Sequence, residues 1–387
     1  MVKAIKVMLI PNNVQETKMF EYAGASRFAY NWALAREKEN YEKGGRFISD
    51  SELRKEFTKL RHSDEYAWLL NISNNVTKQA IKDACNAYKN FFKGLKKIPR
   101  FKSRKRSMPK FYQDNVKIQF SNTHVKLEGF SSSRKANKQK LNWVRLAEHG
   151  RISTHAKYMN PRISFDGLNW WISVCVEFPD CKEILNDDGV GIDLGIKDLA
   201  VCSDAVKYKN INKSQKVKKL EKQKRRLQRS ISRSYEKNKK GESYCKTNNV
   251  IKKEKLLLKR NHRLTNIRKN YLNQTISEIV NRKPRFICIE DLNVSGMMKN
   301  RHLSKVVQEQ GFFLFRKQLE YKCSDKGIQL IVADRFYPSS KLCSCCGKIK
   351  EDLKLSDRIY RCECGNMIDR DFQASINLKA YGERFAS

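Results

Sequence analysis

Two groups of residues in this sequence could do chemistry. The first is a pair of cysteine knuckles, Cys343 with Cys346 in LCSCCG and Cys362 with Cys364 in RCECG. Four thiolates on two knuckles, roughly 15 residues apart, match a tetrahedral structural zinc ribbon. Glycine follows each second cysteine, so each knuckle can turn with its amides toward sulfur. Cys345 is left over, with a pairing in which it replaces Cys343 as the alternative. Four protein ligands leave no open coordination position, so catalysis has to lie elsewhere. The second group is acidic. Asp193 sits in the apolar run VGIDLGI, Glu290 closes FICIE, and Asp369 and Asp371 stand in DRDF directly after the second knuckle. Aspartate is depleted in apolar strands because an unpaired buried carboxylate is costly. Gly191 and Gly195, at i−2 and i+2, share the face of Asp193, which predicts open space beside it. Each acid has a plainer reading: an edge-strand charge for Asp193, a capping neighbour (Asp291) for Glu290, an N-cap or first-turn acid for Asp369 and Asp371. Taken together, acids from three elements are what hard Mg²⁺ takes as ligands. Two such ions about 4 Å apart activate a water and stabilise the leaving oxygen of a phosphodiester. The six histidines are dispersed, and no Ser/His/Asp arrangement competes.

Charge points to the partner. Of 387 residues, 80 are Lys or Arg and 41 are Asp or Glu, a formal net charge of +39. A compact body this basic repels itself unless a polyanion neutralises it, and nucleic acid is the first candidate. No stretch approaches the ~20 apolar residues of a membrane span, so no membrane partner is expected. The opening MVKAIKVMLIPNN has too short an apolar run for a signal peptide. Five of the twelve cysteines fall between 343 and 364 and the rest are scattered, the pattern of a reduced intracellular protein with one metal site. A cytoplasmic location is the expectation.

The elements that must position these groups follow from periodicity. KAIKVMLI reads as a strand. Residues 13 to 95 read as helical, with Val76, Ile81, Ala84 and Tyr88 on one side of a helix starting at Asn74. After a basic hinge, KKIPRFKSRKRSMPKF, short alternating runs begin at 116, 124, 140, 162 and 169. They predict a small antiparallel barrel or sheet that the first strand could join, leaving the helices as an insertion. Trp32, Phe91 and Trp171 read as core. From 187 on, strands alternate with helices, as in an α/β domain. GVGIDLGIKDLAVCSD is a strand pair, residues 213 to 280 are long basic helices, and RFICIEDL is a strand buried on both faces. A helix over 311–326, the strand GIQLIVAD and a last helix from about Phe372 complete the chain.

In order and spacing, RFAYNWAL, PRFKSRKRSMPKF, GIDLGIKDLAV, IEDLNVSGM, SSKLCSCCG, CECG and DRDFQASINL resemble the TnpB (OrfB) family of insertion-sequence proteins, relatives of type V CRISPR effectors. The resemblance spans nearly the whole chain. It implies an α+β multidomain protein: a wedge-like β-barrel (1–10 and 105–182) with a helical recognition insertion (11–104), then an RNase H-like RuvC nuclease domain (187–338 and 367–387) interrupted by a zinc ribbon (339–366). It also implies that Asp193, Glu290 and Asp371 are the catalytic, Mg²⁺- or Mn²⁺-binding acids and that Asp369 is a flanking residue. Gln373 stands where the family usually has Asn, near the metals, while Asn377 matches a second family Asn. The implied partners are a guide RNA from the element's own end and a double-stranded DNA target, with one protein per RNA. Lys219, Lys222, Arg225, Arg226 and Arg229 are the candidate RNA-backbone contacts, against a solvated helix face. Two rival functions stay open: a transposase, whose nucleophile is a DNA 3′-hydroxyl rather than water, and a guide-dependent DNA binder with weak catalysis.

Overall fold

The structure is a computed structural model that describes residues 2–130, 141–179, 183–241, 243–354 and 357–386. Two compact units divide the chain, Met1–Pro179 and Asp180–Ser387.

The first unit opens with strand β1 (Val2–Ile10), followed by helices α1 (Asn13–Glu42), α2 (Asp50–Arg61) and α3 (Asn74–Phe92). Six strands follow: β2 (Lys110–Tyr112), β3 (Gln119–Phe120), β4 (His124–Lys126), β5 (Trp143–Leu146), β6 (Tyr158–Phe165) and β7 (Trp170–Glu177). All seven form one antiparallel sheet in the order β2-β6-β7-β1-β5-β4-β3. The first strand therefore joins the later ones, and α1–α3 are an insertion between them. Phe120 of β3 and Tyr158 of β6 touch ring to ring at 4.7 Å. These strands lie toward opposite ends of the sheet order, so the sheet curls round as a barrel does. On α1, Ala25, Ala29 and Ala33 recur every four residues and are fully buried; small side chains on one ridge let α3 approach closely. The side chain of Gln15 completes the capping box of α1 and donates to the Leu141 and Trp143 carbonyls, tying the helix start to β5.

Two expectations fail here. The run from Val116 is a strand only at Gln119–Phe120, because the Asp114 carboxylate accepts from the Val116 and Lys117 amides and makes a turn that leaves Val116 exposed. Trp32 and Phe91 do pack on the core, but Trp171 does not. Alternation along β7 buries Trp170 instead, while the Trp171 indole lies under Lys6 and donates to Asp166.

The second unit carries β8 (Val190–Leu194), β9 (Asp198–Cys202) and β10 (Lys207–Lys209). Helix α4 (Gln215–Lys237) leads through the short hairpin β11 (Lys239–Lys240) and β12 (Ser243–Tyr244) to α5 (Asn248–Asn281). Then come β13 (Phe286–Glu290), α6 (Val294–Lys299), α7 (Ser304–Gln310), α8 (Phe312–Lys326), β14 (Gln329–Ala333), β15 (Ile359–Arg361), β16 (Met367–Asp369) and α9 (Arg370–Phe385). The main sheet runs β10-β9-β8-β13-β14, with β8, β13 and β14 parallel and β9 and β10 antiparallel. This is the RNase H-like arrangement the resemblance implies.

Side chains alternate between its faces. Ile192, Ile287 and Ile289 pack with Ile276 and Ile279 of α5 and Phe315 of α8. Phe286 and Cys288 face the other way, onto Leu378 of α9. Parity therefore puts Gly191, Asp193 and Glu290 on the α9 face. Among the described residues no helix is long and apolar enough to cross a membrane. Cys181, one of the scattered cysteines, lies outside the described residues.

Candidate active site

Asp193 is the penultimate residue of β8 and Glu290 the last of its parallel neighbour β13. The register pairs Ile289 with Ile192, so the next rung sets Glu290 beside Asp193 at the carboxyl edge of the sheet. Helix α9 supplies the third acid. A Cβ on Gly191 would lie 2.1 Å from the Ser375 carbonyl oxygen and 2.3 Å from the Lys379 nitrogen, so the helix backbone rests directly on the strand there. The bare glycine does not leave the open space read from the sequence; it lets α9 dock. At Gly195 the corresponding gap is only 3.1 Å, to the Asp198 carbonyl oxygen across the β8–β9 turn. Docking over Gly191 brings Asp371, in the first turn of α9, to the same edge as Asp193 and Glu290.

Asp193 keeps partial solvent access yet is held well above the usual carboxylate range. Burial is the largest cause, followed by the Glu290 and Asp371 carboxylates; Arg370 opposes them. Asp193 resists ionising beside two further carboxylates, and such a cluster is a donor set whose repulsion a divalent cation relieves. Arg370 partly compensates, with its guanidinium 3.3 Å from Asp371. Asp369 is the N-cap of α9 and accepts from the Asp371 and Phe372 amides. Burial works against its ionisation, but the Phe372 amide and the Lys207 and Lys197 ammonium groups hold it below its usual value. The cap makes α9 begin at Arg370, two residues before the expected start. Asp291 caps nothing: it pairs with Arg316 and Arg335, and Asn293 caps α6.

Sequence reasoning missed the groups that orient these acids. Ser339, buried, donates to Glu290 Oε1 at 2.7 Å. Asn377 of α9 holds that segment, donating to the Ser339 and Leu342 carbonyls at 2.7 and 2.8 Å. Gln373 does not reach toward the acids as expected. It is fully buried and points at the cysteine knuckles. A serine in an irregular segment and two amides buried on a helix carry no periodic signal of a polar role. Only the positions of Gln373 and Asn377 in the family motif hinted at roles.

The four thiols fit a tetrahedral ion. Cys343, Cys346, Cys362 and Cys364 have sulfurs all within 4.8 Å of one another, with close pairs at 3.6 and 3.5 Å. A Zn–S bond of about 2.3 Å in a tetrahedron sets S···S near ~3.8 Å. Gly347 and Gly365 adopt left-handed φ of 72° and 89°, as the knuckles require. Burial opposes ionisation of Cys343, but the Cys346 amide, the Asn366 side chain and the Cys345 amide pull it down to about 6. The Asn366 amide favours the Cys364 thiolate too, yet the neighbouring Cys346 and Cys362 push it up to about 12. Four thiolates this close need a cation. Cys345 is exposed and outside the cluster.

Lys222, Arg225, Arg226 and Arg229 line a cleft of about 580 Å³ along α4, with Arg268 of α5 and Lys305 of α7. Lys219 is exposed on the same helix but does not line it. Arg268 is pinned at the base of the cleft by Glu221 and Glu309, at 3.2 and 3.3 Å.

Known proteins resemble this chain in sequence and in fold. Residues 173–301 match the OrfB_IS605 family model, described as "Probable transposase", and residues 312–378 match one described as "Cas12f1-like, TNB domain". A curated Escherichia coli K12 relative, "Putative RNA-guided DNA endonuclease InsQ", is 30% identical over 98% of this chain and 92% of its own length. The chain belongs to the TnpB (OrfB) family. A second TnpB relative, a "Putative RNA-guided DNA endonuclease" from Streptomyces pristinaespiralis, is 28% identical over 98% of this chain and 89% of its own. A cryo-EM structure of a Cas12f1–sgRNA–target DNA complex superposes with a TM-score of 0.60 at 12% identity, covering 98% of both chains, a likeness of fold. Residues 1–46 match a model described as "Helix-turn-helix domain", although this TnpB protein has there a strand and the single helix α1.

Proposed function

We propose that this protein is an insertion-sequence RNA-guided DNA endonuclease that hydrolyses phosphodiesters at the edge formed by Asp193, Glu290 and Asp371. The observation that carries the reading is the meeting of these acids on the α9 face of an RNase H-like sheet, in a chain 30% identical to a relative named as such an endonuclease. Asp193, Glu290 and Asp371 would hold Mg²⁺ or Mn²⁺. When bound, such ions supply an activated water and stabilise the leaving oxygen. The chain's own residues do the rest. Asp193 gives up the proton that its surroundings favour, Ser339 fixes the orientation of Glu290, and Arg370 keeps Asp371 from being repelled outward. The four cysteines would hold structural Zn²⁺ in a ribbon over 339–366.

The curled sheet of the first unit serves as the wedge-like barrel (1–10 and 105–182, of which 1, 131–140 and 180–182 lie outside the described residues). Helices α1–α3 serve as the recognition insertion, gripping guide RNA and its duplex with the target. Base pairing then reads sequence while protein reads backbone shape. Lys222, Arg225, Arg226 and Arg229, with Lys219 beside the cleft, hold nucleic-acid backbone, and one protein binds one guide. The "Probable transposase" description favours a second reading, strand transfer by a DNA 3′-hydroxyl. One experiment separates them. RNA that co-purifies with the protein from cells carrying its flanking DNA is sequenced, and its terminal segment is replaced by a new guide. Cleavage that follows the new guide supports the endonuclease. Joined rather than hydrolysed ends, or no specific RNA, refute it.

A further inference from the structure

Gln373 is a fully enclosed polar side chain of α9 that the acid site does not use. It is fully buried two residues after Asp371. Its Nε2 donates to the Leu342 carbonyl at 2.7 Å, immediately before Cys343. Its Oε1 accepts from Ser344 Oγ at 2.9 Å, immediately after Cys343, and from Asn366 Nδ2 at 3.3 Å. Asn366 belongs to the other knuckle: its carbonyl accepts from the Cys362 amide at 2.9 Å, and its Nδ2 lies 3.4 Å from Cys343 Sγ. One primary amide on the helix thus grips both arms of the thiol cluster. One turn further on, Asn377 donates to the same Leu342 carbonyl and to that of Ser339, whose hydroxyl donates to Glu290. The contacts run without a gap from Cys343 through Asn366 and Gln373 to α9, and on through Asn377 and Ser339 to Glu290.

We propose that Gln373 is a positioning residue: it clamps the cysteine ribbon to α9, so that the ribbon, when its thiols hold metal, sets the places of Asp371 and Glu290. Geometry favours glutamine over the usual asparagine here. The amide must reach Leu342, Ser344 and Asn366 together from the first turn of a helix, and asparagine is one methylene shorter. Gln373 itself is fully buried and the Leu342 carbonyl and Asn366 amide are part-buried, so a side chain that cannot reach them leaves these groups underpaired, whereas the exposed Ser344 hydroxyl can turn to water. The inference rests on the acids being the nuclease centre, but the clamp itself has a readout independent of cleavage.

The test compares wild type with Gln373→Asn, Gln373→Leu and Ser344→Ala as full-length protein–RNA complexes. Three quantities are measured: release of zinc to a colorimetric chelator, affinity for guide-matched DNA without Mg²⁺, and cleavage rate against Mg²⁺ concentration. Orienting groups behind metal ligands typically matter by about ten-fold or more. Gln373→Asn and Gln373→Leu are therefore expected to release zinc about ten-fold faster and to need about ten-fold more Mg²⁺ for half-maximal cleavage, with DNA affinity within about two-fold of wild type. Ser344→Ala, which leaves α9 untouched, moves both readouts the same way by less. Unchanged zinc release together with an unchanged Mg²⁺ requirement in Gln373→Asn overturns the clamp, as does faster cleavage in that variant. If the Gln373 variants fail to fold, Ser344→Ala decides by the same two readouts. If wild type itself does not cut guide-matched DNA, the nuclease reading fails, and zinc release alone still decides whether Gln373 holds the ribbon.

Discussion

Gly191→Ala tests whether α9 brings the third acid into place. The added Cβ would sit 2.1 Å from the Ser375 carbonyl oxygen and 2.3 Å from the Lys379 nitrogen, whereas ordinary contact begins at 3.4 Å. Both are backbone atoms of one helix, so no rotamer change relieves the clash; α9 has to move away from β8 by about 1.3 Å, the shortfall from ordinary contact. Overpacking of this kind costs typically 1–3 kcal/mol, roughly, and the fold survives. The chemistry does not tolerate it: a misplacement of about 1 Å can cost ~100-fold in rate. Expected, then, is at least about a hundred-fold loss of guide-matched cleavage, with little change in DNA affinity and a modestly lower melting temperature. Gly195→Ala is the control. Its new Cβ meets the Asp198 carbonyl oxygen at 3.1 Å, a shortfall of about 0.3 Å within the β8–β9 turn that does not involve α9, so cleavage falls far less than in Gly191→Ala. The assay is single-turnover cleavage of a plasmid target beside a binding titration without Mg²⁺. Wild-type cleavage by Gly191→Ala at wild-type stability would refute the claim that α9 sets the site.

Other outcomes follow from the same geometry. Ser339→Ala removes the 2.7 Å bond that orients Glu290 and slows cleavage about ten-fold without altering DNA binding, as a kinetic titration will show. Asp193→Asn abolishes cleavage but raises the melting temperature of the metal-free protein. A carboxyl raised in the folded state weakens folding as pH climbs from 3.8 toward its raised value, because the folded form binds the proton more tightly; the gain therefore shows above that window and vanishes below it in melts across pH. Cys346→Ser reduces zinc content and cleavage together, measured by metal analysis and plasmid cutting; normal cleavage without zinc would separate ribbon from site. Replacing Lys222, Arg225 and Arg229 by Ala weakens RNA or DNA binding uniformly across sequences and lowers the salt slope by roughly 0.7–0.9 per lost phosphate contact.

How much of this was legible depended on whether a residue broke a pattern. Asp193 and Glu290 stand out because one interrupts and the other closes an apolar strand; the strand register and the packing on α9 then put them on one face. Asp371 could not be told from Asp369 by periodicity; the structure separates them by making Asp369 the N-cap. The cysteine knuckles were readable because metal geometry fixes their spacing. The space beside Asp193 was misread, since a glycine in a strand signals close approach equally well whether the visitor is a ligand or, as here, the backbone of α9. Ser339 and Gln373 were opaque for another reason. Their roles come from tertiary hydrogen bonds to carbonyls and side chains that no local pattern encodes. The curl of the first-unit sheet was equally hidden, because Phe120 and Tyr158 meet only once the strand order is known. Trp170 and Trp171 show how one residue of register exchanges core for surface.

The most direct test of the central claim is guide-matched plasmid cleavage by the wild-type protein–RNA complex beside Asp193→Ala prepared with the same RNA. Mg²⁺-dependent double-strand cuts by wild type, lost in Asp193→Ala while target binding persists, are the predicted result. Cutting by Asp193→Ala at the wild-type rate would contradict the account, because the nuclease centre would then lie away from the edge where β8, β13 and α9 meet.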